Sequence, residues 1–454
     1  MRRLMTTRWM CGVVAGAAVA GLALDGGAAE VRLTADGKVL SASGAKVSGV
    51  VAGKEKNGSP FVRFTYAPER AGDALKLTVE GLKPQNWIVL NDGMMVGKWL
   101  FTELAAGVDL GAQEAGPFEV GKRGGPRKPK NWAEWKGMVR EVKSTYDGTL
   151  QKCYFWAPEK AKTEAVPLIV GLHTWSADMR QTDHYATSLK YAKANGWAMV
   201  GPNFRGPNDH PEACGGEAAV QDIVDAVSYA KAQAKIDAKR VYIIGGSGGG
   251  HLTLLMAGRP PEIWAGCAAF CPITDVARWH ADSLLDHPGR GKEYARMLEG
   301  ACGGAPAAQP EEYRRRSPLT WLDRARKAGV PVYIVTGIHD GWTGSVPVGH
   351  SFRAFNALAD EADRVSEAEI AAIEADQKVP DAIAYRGAAD PFYGEKMKIH
   401  FRRTSANVRF TLFEGGHGGN FQAGLDFCSR QTKGRPADFT LPGKASGREE
   451  RLGK

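Results

Sequence analysis

The strongest constraint in this chain is a turn made almost wholly of glycine. Val241-Tyr242-Ile243-Ile244, an apolar run, passes directly into Gly245-Gly246-Ser247-Gly248-Gly249-Gly250 and then into His251-Leu252-Thr253-Leu254-Leu255-Met256-Ala257, which favours helix. Strand, sharp turn and helix in that order leave no room for a side chain two residues from Ser247, because a Cβ there would meet the packed strand or helix. The first N–H groups of the helix point toward whatever Ser247 faces, a place where negative charge is stabilised. Chance alone supplies G-x-S-x-G roughly 0.25 times in a 454-residue chain with 56 glycines, so the flanking strand and helix carry the weight.

A hydroxyl is a poor nucleophile until a base removes its proton. An imidazole oriented by a carboxylate should therefore follow, in the order Ser, Asp, His, each at the carboxyl end of a strand. The strand-like run Val332–Val335 leads into Thr336-Gly337-Ile338-His339-Asp340, and Val408–Phe413 leads into Glu414-Gly415-Gly416-His417-Gly418. Asp340 and His417 fit those positions. Asp340 also fits a turn or helix cap, with His339 and Asp360 as less well placed rivals, and His417 also fits a loop histidine held by its glycines. His173, His251, His280 and His350 read as hydrogen-bonded structural groups. Two backbone N–H donors should face the oxyanion: that of Gly248, and one from the loop His173-Thr174-Trp175-Ser176 after the run Leu168–Leu172, where Trp175 is best placed. The indoles of Trp175 and Trp342 either wall an acyl pocket or belong to core and rim. Arg402 and Arg403 either meet a substrate carboxylate, such as a uronate, or sit at the surface.

The rest of the chain supplies the setting. Apolar runs at 168–172, 198–200, 241–244, 332–335 and 408–413 alternate with helical patterns, the signature of a parallel sheet covered on both faces. Val220, Ile223, Val224 and Val227 recur at helical spacing and mark a crossover helix. Residues 30–120 carry short β-like runs such as Phe61–Tyr66 and Leu75–Val79 and read as a small β-rich module; residues 121–136 are a basic Gly/Pro linker, 137–435 a catalytic domain and 436–454 a polar tail. Asp360 to Lys398 interrupts the alternation. Its acidic, alanine-rich part, Ser366 to Gln377, looks helical and either caps a site or is a surface insertion. No internal repeat points to a propeller or solenoid.

Composition excludes more than it assigns. Hydrophobic residues at 43% and charged residues at 24% suit an ordinary globular protein rather than a disordered or multispanning one. Arg2, Arg3 and Arg8 precede an apolar stretch from Met10 to Leu24 and then Gly27-Ala28-Ala29, which reads as a cleaved signal peptide over residues 1–29 and a secreted or periplasmic protein. That stretch falls short of the ~20 residues a membrane anchor needs, so no stable membrane insertion is expected. Three arginines and one aspartate leave with it, which lowers the formal charge from +9 to +7. The basic residues are spread along the chain, whereas a nucleic-acid partner needs a clustered basic face. Cys153, Cys214, Cys267, Cys271, Cys302 and Cys428 remain, an even number that permits disulfides without choosing their pairing. Cys267 and Cys271, four residues apart along a strand, stand about 13 Å apart, too far to bridge each other. No spacing of Cys or His suggests a metal.

Several landmarks then line up. Asp147-Gly148-Thr149, Pro167 to His173, Asn203-Phe204-Arg205-Gly206, Ile236 to Val241, Gly337 to Asp340 and Gly416-His417-Gly418 together resemble the prolyl-oligopeptidase family of the α/β-hydrolase superfamily, over about residues 137 to 432. The resemblance implies an α/β-hydrolase fold with a mostly parallel, doubly wound sheet, Ser247 as nucleophile, Asp340 as orienting acid, His417 as base and no cofactor. Two features depart from the family. His173-Thr174 stands where the family usually has His-Gly, which bears on the second oxyanion donor, and the β-propeller of the family's peptidases has no counterpart repeat in residues 30–136. The expectation is thus an exported serine hydrolase that cleaves carboxylic esters on acylated carbohydrate or a small-molecule ester. The alternatives are a peptidase acting on short peptides and a carbohydrate-binding or scaffold protein without activity. The sequence sets no oligomeric state.

Overall fold

Alternation of apolar and polar residues builds the first part of the molecule, and continuous apolar runs build the second. The computed structural model describes residues 29–441 apart from 55–59, 72, 84–85, 92–93, 114, 122–131, 286 and 288–290. Residues 1–28 of the expected signal peptide, most of the basic linker and the tail beyond 441 therefore lie outside the described residues. The chain divides into two compact units, 1–130 and 131–454.

In the first unit the strands are β1 (Ala29–Thr34), β2 (Val39–Ser43), β3 (Ala45–Lys54), β4 (Pro60–Pro68), β5 (Ala74–Glu80), β6 (Asn86–Asn91), β7 (Met94–Leu100), β8 (Val108–Ala112) and β9 (Gly116–Gly121), with one short helix, α1 (Phe101–Ala106). They form a four-stranded sheet in the order β2-β1-β5-β8 and a five-stranded sheet in the order β3-β4-β9-β6-β7. Along β1 the residues Val31 and Leu33 are buried while Arg32 is exposed, the period-two pattern of a sheet with one wet face. Phe64, Tyr66, Trp87 and Phe118 fill the core of this unit, with Phe64 stacked on Phe118 at 5.3 Å between centroids.

The second unit opens with α2 (Trp132–Gly137), followed by β10 (Val139–Lys143), β11 (Leu150–Trp156), β12 (Val166–Leu172), α3 (Thr182–Asn195), β13 (Ala198–Pro202), α4 (Glu217–Gln233), β14 (Ile236–Gly246), α5 (Gly248–Gly258) and β15 (Gly266–Phe270). Four helices come next: α6 (Val276–Leu284), α7 (Lys292–Cys302), α8 (Pro310–Arg316) and α9 (Leu322–Lys327). The chain ends with β16 (Val332–Gly337), α10 (Gly349–Leu358), α11 (Glu367–Asp376), β17 (Ile399–Ser405), β18 (Val408–Phe413) and α12 (Phe421–Arg430). One nine-stranded sheet runs β10-β11-β13-β12-β14-β15-β16-β18-β17, parallel from β13 to β18 and antiparallel at both edges. This is an α/β-hydrolase fold. β12, β15 and β16 are buried at every residue because helices cover both faces, α3 and α12 on one and α4, α5 and α10 on the other.

Each strand expected from the sequence is present. Three things differ. Residues 132–136, read as linker, are helical, because Trp132 and Trp135 fall on one face and are buried. The edge strand β17 and the helices α6 to α9 carried no strong periodic signal and were not foreseen. The six cysteines are all free and buried among the described residues. No helix among those residues is long and apolar enough to cross a membrane.

Two landmarks distant in sequence meet at the start of this sheet. Arg205, held at a positive φ of 69°, donates to Asp147 of the β10–β11 turn at 2.8 Å and to Asp222 of α4 at 2.5 Å. Asp222 also accepts from Ser144 at 2.5 Å and its side chain is only 2% exposed. The Arg205 charge is thus what makes that burial tolerable. Removing one partner of such a pair strands the other. Arg205→Ala should lower the free energy of unfolding by about 3 kcal/mol, read as a lower urea midpoint at unchanged slope, and adding Asp222→Ala should cost less than the sum of the two single changes.

Candidate active site

The turn after β14 is strained in the way a protruding serine needs. Ser247 sits at φ 57° and ψ −118°, a backbone state that costs on the order of 1–3 kcal/mol for a residue with a side chain. It is held by backbone bonds on both sides: the Ser247 N–H donates to the Phe270 carbonyl at 2.8 Å, and the His251 N–H donates to the Ser247 carbonyl at 2.8 Å. The glycines permit contact of backbone with backbone. A Cβ on Gly248 would lie 2.5 Å from both the amide nitrogen and the Cα of Trp175, and one on Gly249 would lie 2.7 Å from the His173 carbonyl oxygen.

That loop, 173–175, is itself fixed. The His173 ring stacks on Phe204 at 3.7 Å, and its nitrogens face the Thr174 and Asn203 carbonyl oxygens at 2.9 and 2.8 Å. Burial lowers its pKa, with hydrogen bonds to those carbonyls opposing, so it is a neutral ring that donates to one of the two. The Trp175 carbonyl accepts from the backbone and side-chain nitrogens of Asn208, each at 3.0 Å. The backbones of Gly248 and Trp175 thus line one small space beside Ser247.

The sheet order brings the other expected residues to the same edge. Ser247, Cys271, Asp340 and His417 follow β14, β15, β16 and β18, four neighbouring parallel strands. His417 Nδ1 contacts both oxygens of Asp340, at 2.8 and 2.9 Å, and the Asp340 side chain is fully buried. Asp340 also accepts from the N–H groups of Gly341 at 3.0 Å and Val346 at 3.2 Å. Burial lowers the pKa of His417, but the charge of Asp340, together with Cys271 and hydrogen bonds to both, more than offsets it, and the net direction is up.

Cys271 links the serine turn to the histidine loop. Its neighbour Phe270 binds the Ser247 amide, while its own Sγ accepts from the Gly418 N–H at 3.1 Å and donates to the Gly418 carbonyl at 3.2 Å. Burial first, and the Asp340 charge second, raise its pKa, so it stands as a neutral thiol. One ligating atom each of Cys271, Asp340 and His417 lie within 4.8 Å of one another, the grouping among the described residues that could offer donors to a metal. The Asp340–His417 hydrogen bond already engages two of those donors. His184 is a further neighbour: burial lowers its pKa, Asp183 opposes, and the charge on His417 lowers it again. Neither Cys271 nor His184 lies in a spacing that marks it in the sequence.

Other expected residues sit elsewhere or differently. Arg402 lies mid-strand opposite Thr411, 5% exposed, ion-paired with Asp390 at 2.8 Å and flanked by Tyr385 and Tyr393, so burial takes it out of reach of a substrate carboxylate. Arg403 donates to the Asp363 carbonyl at 2.7 Å. The Trp175 indole is core rather than open wall, 2% exposed and edge-on to Trp279 at 4.7 Å. Trp342 is half-buried, edge-on to His287 at 4.2 Å, with its indole N–H on the Glu374 carbonyl at 3.0 Å. Asp360 accepts from Arg326 at 2.8 Å. His251 faces the Arg316 carbonyl at 2.7 Å, its pKa pulled down to about 4 by burial, while His280 faces Glu299 and His350 faces Thr274.

Residues 183–374 match the sequence profile of the prolyl oligopeptidase family. Among curated proteins the chain is similar to acylamino-acid-releasing enzyme 1 of rice, Oryza sativa, 24% identical over 192 residues, which is 38% of this chain and 23% of that protein. It is also similar to dipeptidyl aminopeptidase BIII of Pseudoxanthomonas mexicana, 28% identical over 38% of this chain and 25% of that one. A third relative is feruloyl esterase B of Neurospora crassa, 30% identical over 27% of this chain and 44% of that one. The alignments thus span between about a quarter and less than half of these relatives' lengths. A solved acylaminoacyl peptidase of Pyrococcus horikoshii covers 88% of this chain and 59% of its own at 15% identity and a TM-score of 0.47.

Because a Cβ at position 249 would press on backbone carbonyls that cannot rotate away, Gly249→Ala should lower stability by about 2–3 kcal/mol, seen as a fall in Tm, whereas Gly418→Ala, where a Cβ meets nothing within 4 Å, should leave Tm nearly unchanged.

Proposed function

We propose that this chain, which belongs to the prolyl oligopeptidase family through its carboxy-terminal unit, is an exported serine hydrolase that cleaves carboxylic esters. The observation that carries the reading is the Asp340–His417 hydrogen bond, formed after β16 and β18, in the same run of parallel strands whose β14 leads into the strained turn of Ser247. With Nδ1 engaged by Asp340, Nε2 of His417 is the nitrogen left to take the Ser247 proton.

In this mechanism Ser247 Oγ adds to the ester carbonyl carbon as its proton moves to His417 Nε2. The resulting oxyanion lies against the backbone N–H groups of Gly248 and Trp175; one such donor is worth on the order of 100- to 1,000-fold in rate. Collapse breaks the carbon–oxygen bond to the alcohol, which leaves with the proton from His417, and the acyl group stays on Ser247. Water then gives a proton to His417 and its oxygen to the acyl carbon. The second collapse releases the acid and returns the proton to Ser247. Asp340 holds the ring orientation and stabilises the imidazolium in both halves. No step calls for a cofactor.

An ester on a decorated polysaccharide or oligosaccharide, or a small-molecule ester, is the favoured substrate. Support comes from the leader-like residues 1–29 and from the similarity to an enzyme named for feruloyl ester hydrolysis. A peptidase is the second reading, favoured by the relatives named for releasing acylamino acids and for dipeptidyl aminopeptidase activity. A panel of acetyl, feruloyl and methyl-uronate esters beside aminoacyl and prolyl amides separates the two: ester turnover is expected, and turnover confined to amides reverses the assignment. Ser247→Ala should abolish both turnover and labelling by a fluorophosphonate probe, and labelling that survives the substitution would remove the serine from the mechanism.

The Asp340 charge raises the pKa of His417, and the base works only when neutral, so activity falls as pH drops through that pKa. Asp340→Asn removes the raising charge. The acid limb of kcat/KM should then shift to lower pH while kcat drops by roughly 10,000-fold, both read from pH–rate profiles of the two proteins.

A further inference from the structure

We propose that the last turn of α11, through Glu374 and Gln377, is the positioning element that sets the Asp340 loop and, by way of Glu414, the His417 loop; the proposal rests on the hydrolase reading above. The loop after β16 needs such support. Residues 338–348 form no regular element, Gly341 sits at φ 92°, and the loop's own backbone bonds, such as the His339 N–H to the Gly415 carbonyl at 2.9 Å and the Gly341 N–H to the Gly344 carbonyl at 3.1 Å, make turns rather than a helix or strand. Backbone and side-chain groups at the end of α11 supply the struts. The Glu374 carbonyl accepts from the Trp342 indole at 3.0 Å, and its carboxylate accepts from the Gly349 N–H at 3.1 Å. That carboxylate also faces Arg353 at 3.8 Å and, on α6, Arg278 at 3.6 Å. One turn on, Gln377 Oε1 lies 2.6 Å from His339 Nδ1, next in sequence to Asp340. His339 Nε2 in turn faces Glu414 at 2.7 Å, and the other oxygen of Glu414 faces His400 at 2.8 Å.

The struts start from a fixed base. Ser366 and Glu369 form a reciprocal cap at the start of α11, Ile370 and Ile373 are fully buried, and Arg353 also pairs with Glu367 at 2.7 Å. Glu374 lies in the last turn of α11 and Gln377 is the residue that caps its end, in the left-handed region at φ 49°. A capped helix, anchored by Ile370 and Ile373, is therefore tied to the residues on both sides of Asp340, and through Glu414 to the strand end that leads to His417. Residues 366–377, which the sequence leaves open between a cap and a surface insertion, act as a buttress. Glu374 and Gln377 touch no reacting atom in this scheme, so their effect passes entirely through the placement of Asp340 against His417.

The test uses the full-length protein with p-nitrophenyl acetate and kcat expressed per serine titrated by a fluorophosphonate. Glu374→Ala and Gln377→Ala should each lower kcat by on the order of 10-fold or more, with KM within about twofold. The acid limb of the pH–rate profile should move to lower pH, because a displaced Asp340 raises the His417 pKa less; Cys271 and His184, the other titratable neighbours of His417, are unchanged by either substitution. Gln377→Glu, which keeps an oxygen at the same reach, should restore kcat, and Glu374→Gln, which keeps the acceptor for Gly349, should fall between wild type and Glu374→Ala. Unchanged kcat per titrated serine with an unmoved acid limb overturns the proposal, as does a rise in KM alone or a fall confined to the number of titratable serines. Failure of the hydrolase reading looks different: wild type and Ser247→Ala would then be equally inert to the probe, and the proposal falls with it.

Discussion

Backbone pressed on backbone is the condition on which the site rests. Between the turn after β14 and the loop after β12 there is no space for even a methyl group, and the glycines at 248 and 249 make that approach possible. From this contact follow the position of the Ser247 side chain, the direction of α5 and the closeness of the Gly248 and Trp175 amides. The parallel sheet then does the remaining placement, since consecutive strands 4.7–4.9 Å apart deliver Cys271, Asp340 and His417 to the same edge.

Charge is arranged around that contact with economy. Asp340 is fully buried, yet its two oxygens accept from an imidazole and two backbone amides, so its desolvation is offset by hydrogen bonds that strengthen in a low dielectric. Arg205 plays the matching role at the other end of the sheet for Asp222. In both places a buried carboxylate draws its partners from segments far apart in sequence, which makes each a checkpoint that the sheet has assembled in register.

How much of this was legible beforehand depended on whether a local pattern or a tertiary encounter decided the outcome. Parallel strands buried on both faces read as unbroken apolar runs, and the glycines around Ser247 and His417 reported close approach, so fold, turn and dyad could all be located. Arg402 misled because a cation near the last strand resembles a substrate contact, and only the fold reveals Asp390 beneath it. Trp132 and Trp135 were hidden by the glycine and proline residues just before them. Cys271, His184 and the struts from α11 left no sequence signal, since each gains its role only when a distant loop is folded against it.

The six thiols among the described residues bear on how such a chain can be handled by a cell. All lie inside the packed interior as unpaired groups, with burial holding those of Cys153, Cys214, Cys267, Cys271, Cys302 and Cys428 away from the thiolate form. With no disulfide among the described residues, their covalent connectivity is the same in a reducing or an oxidising compartment.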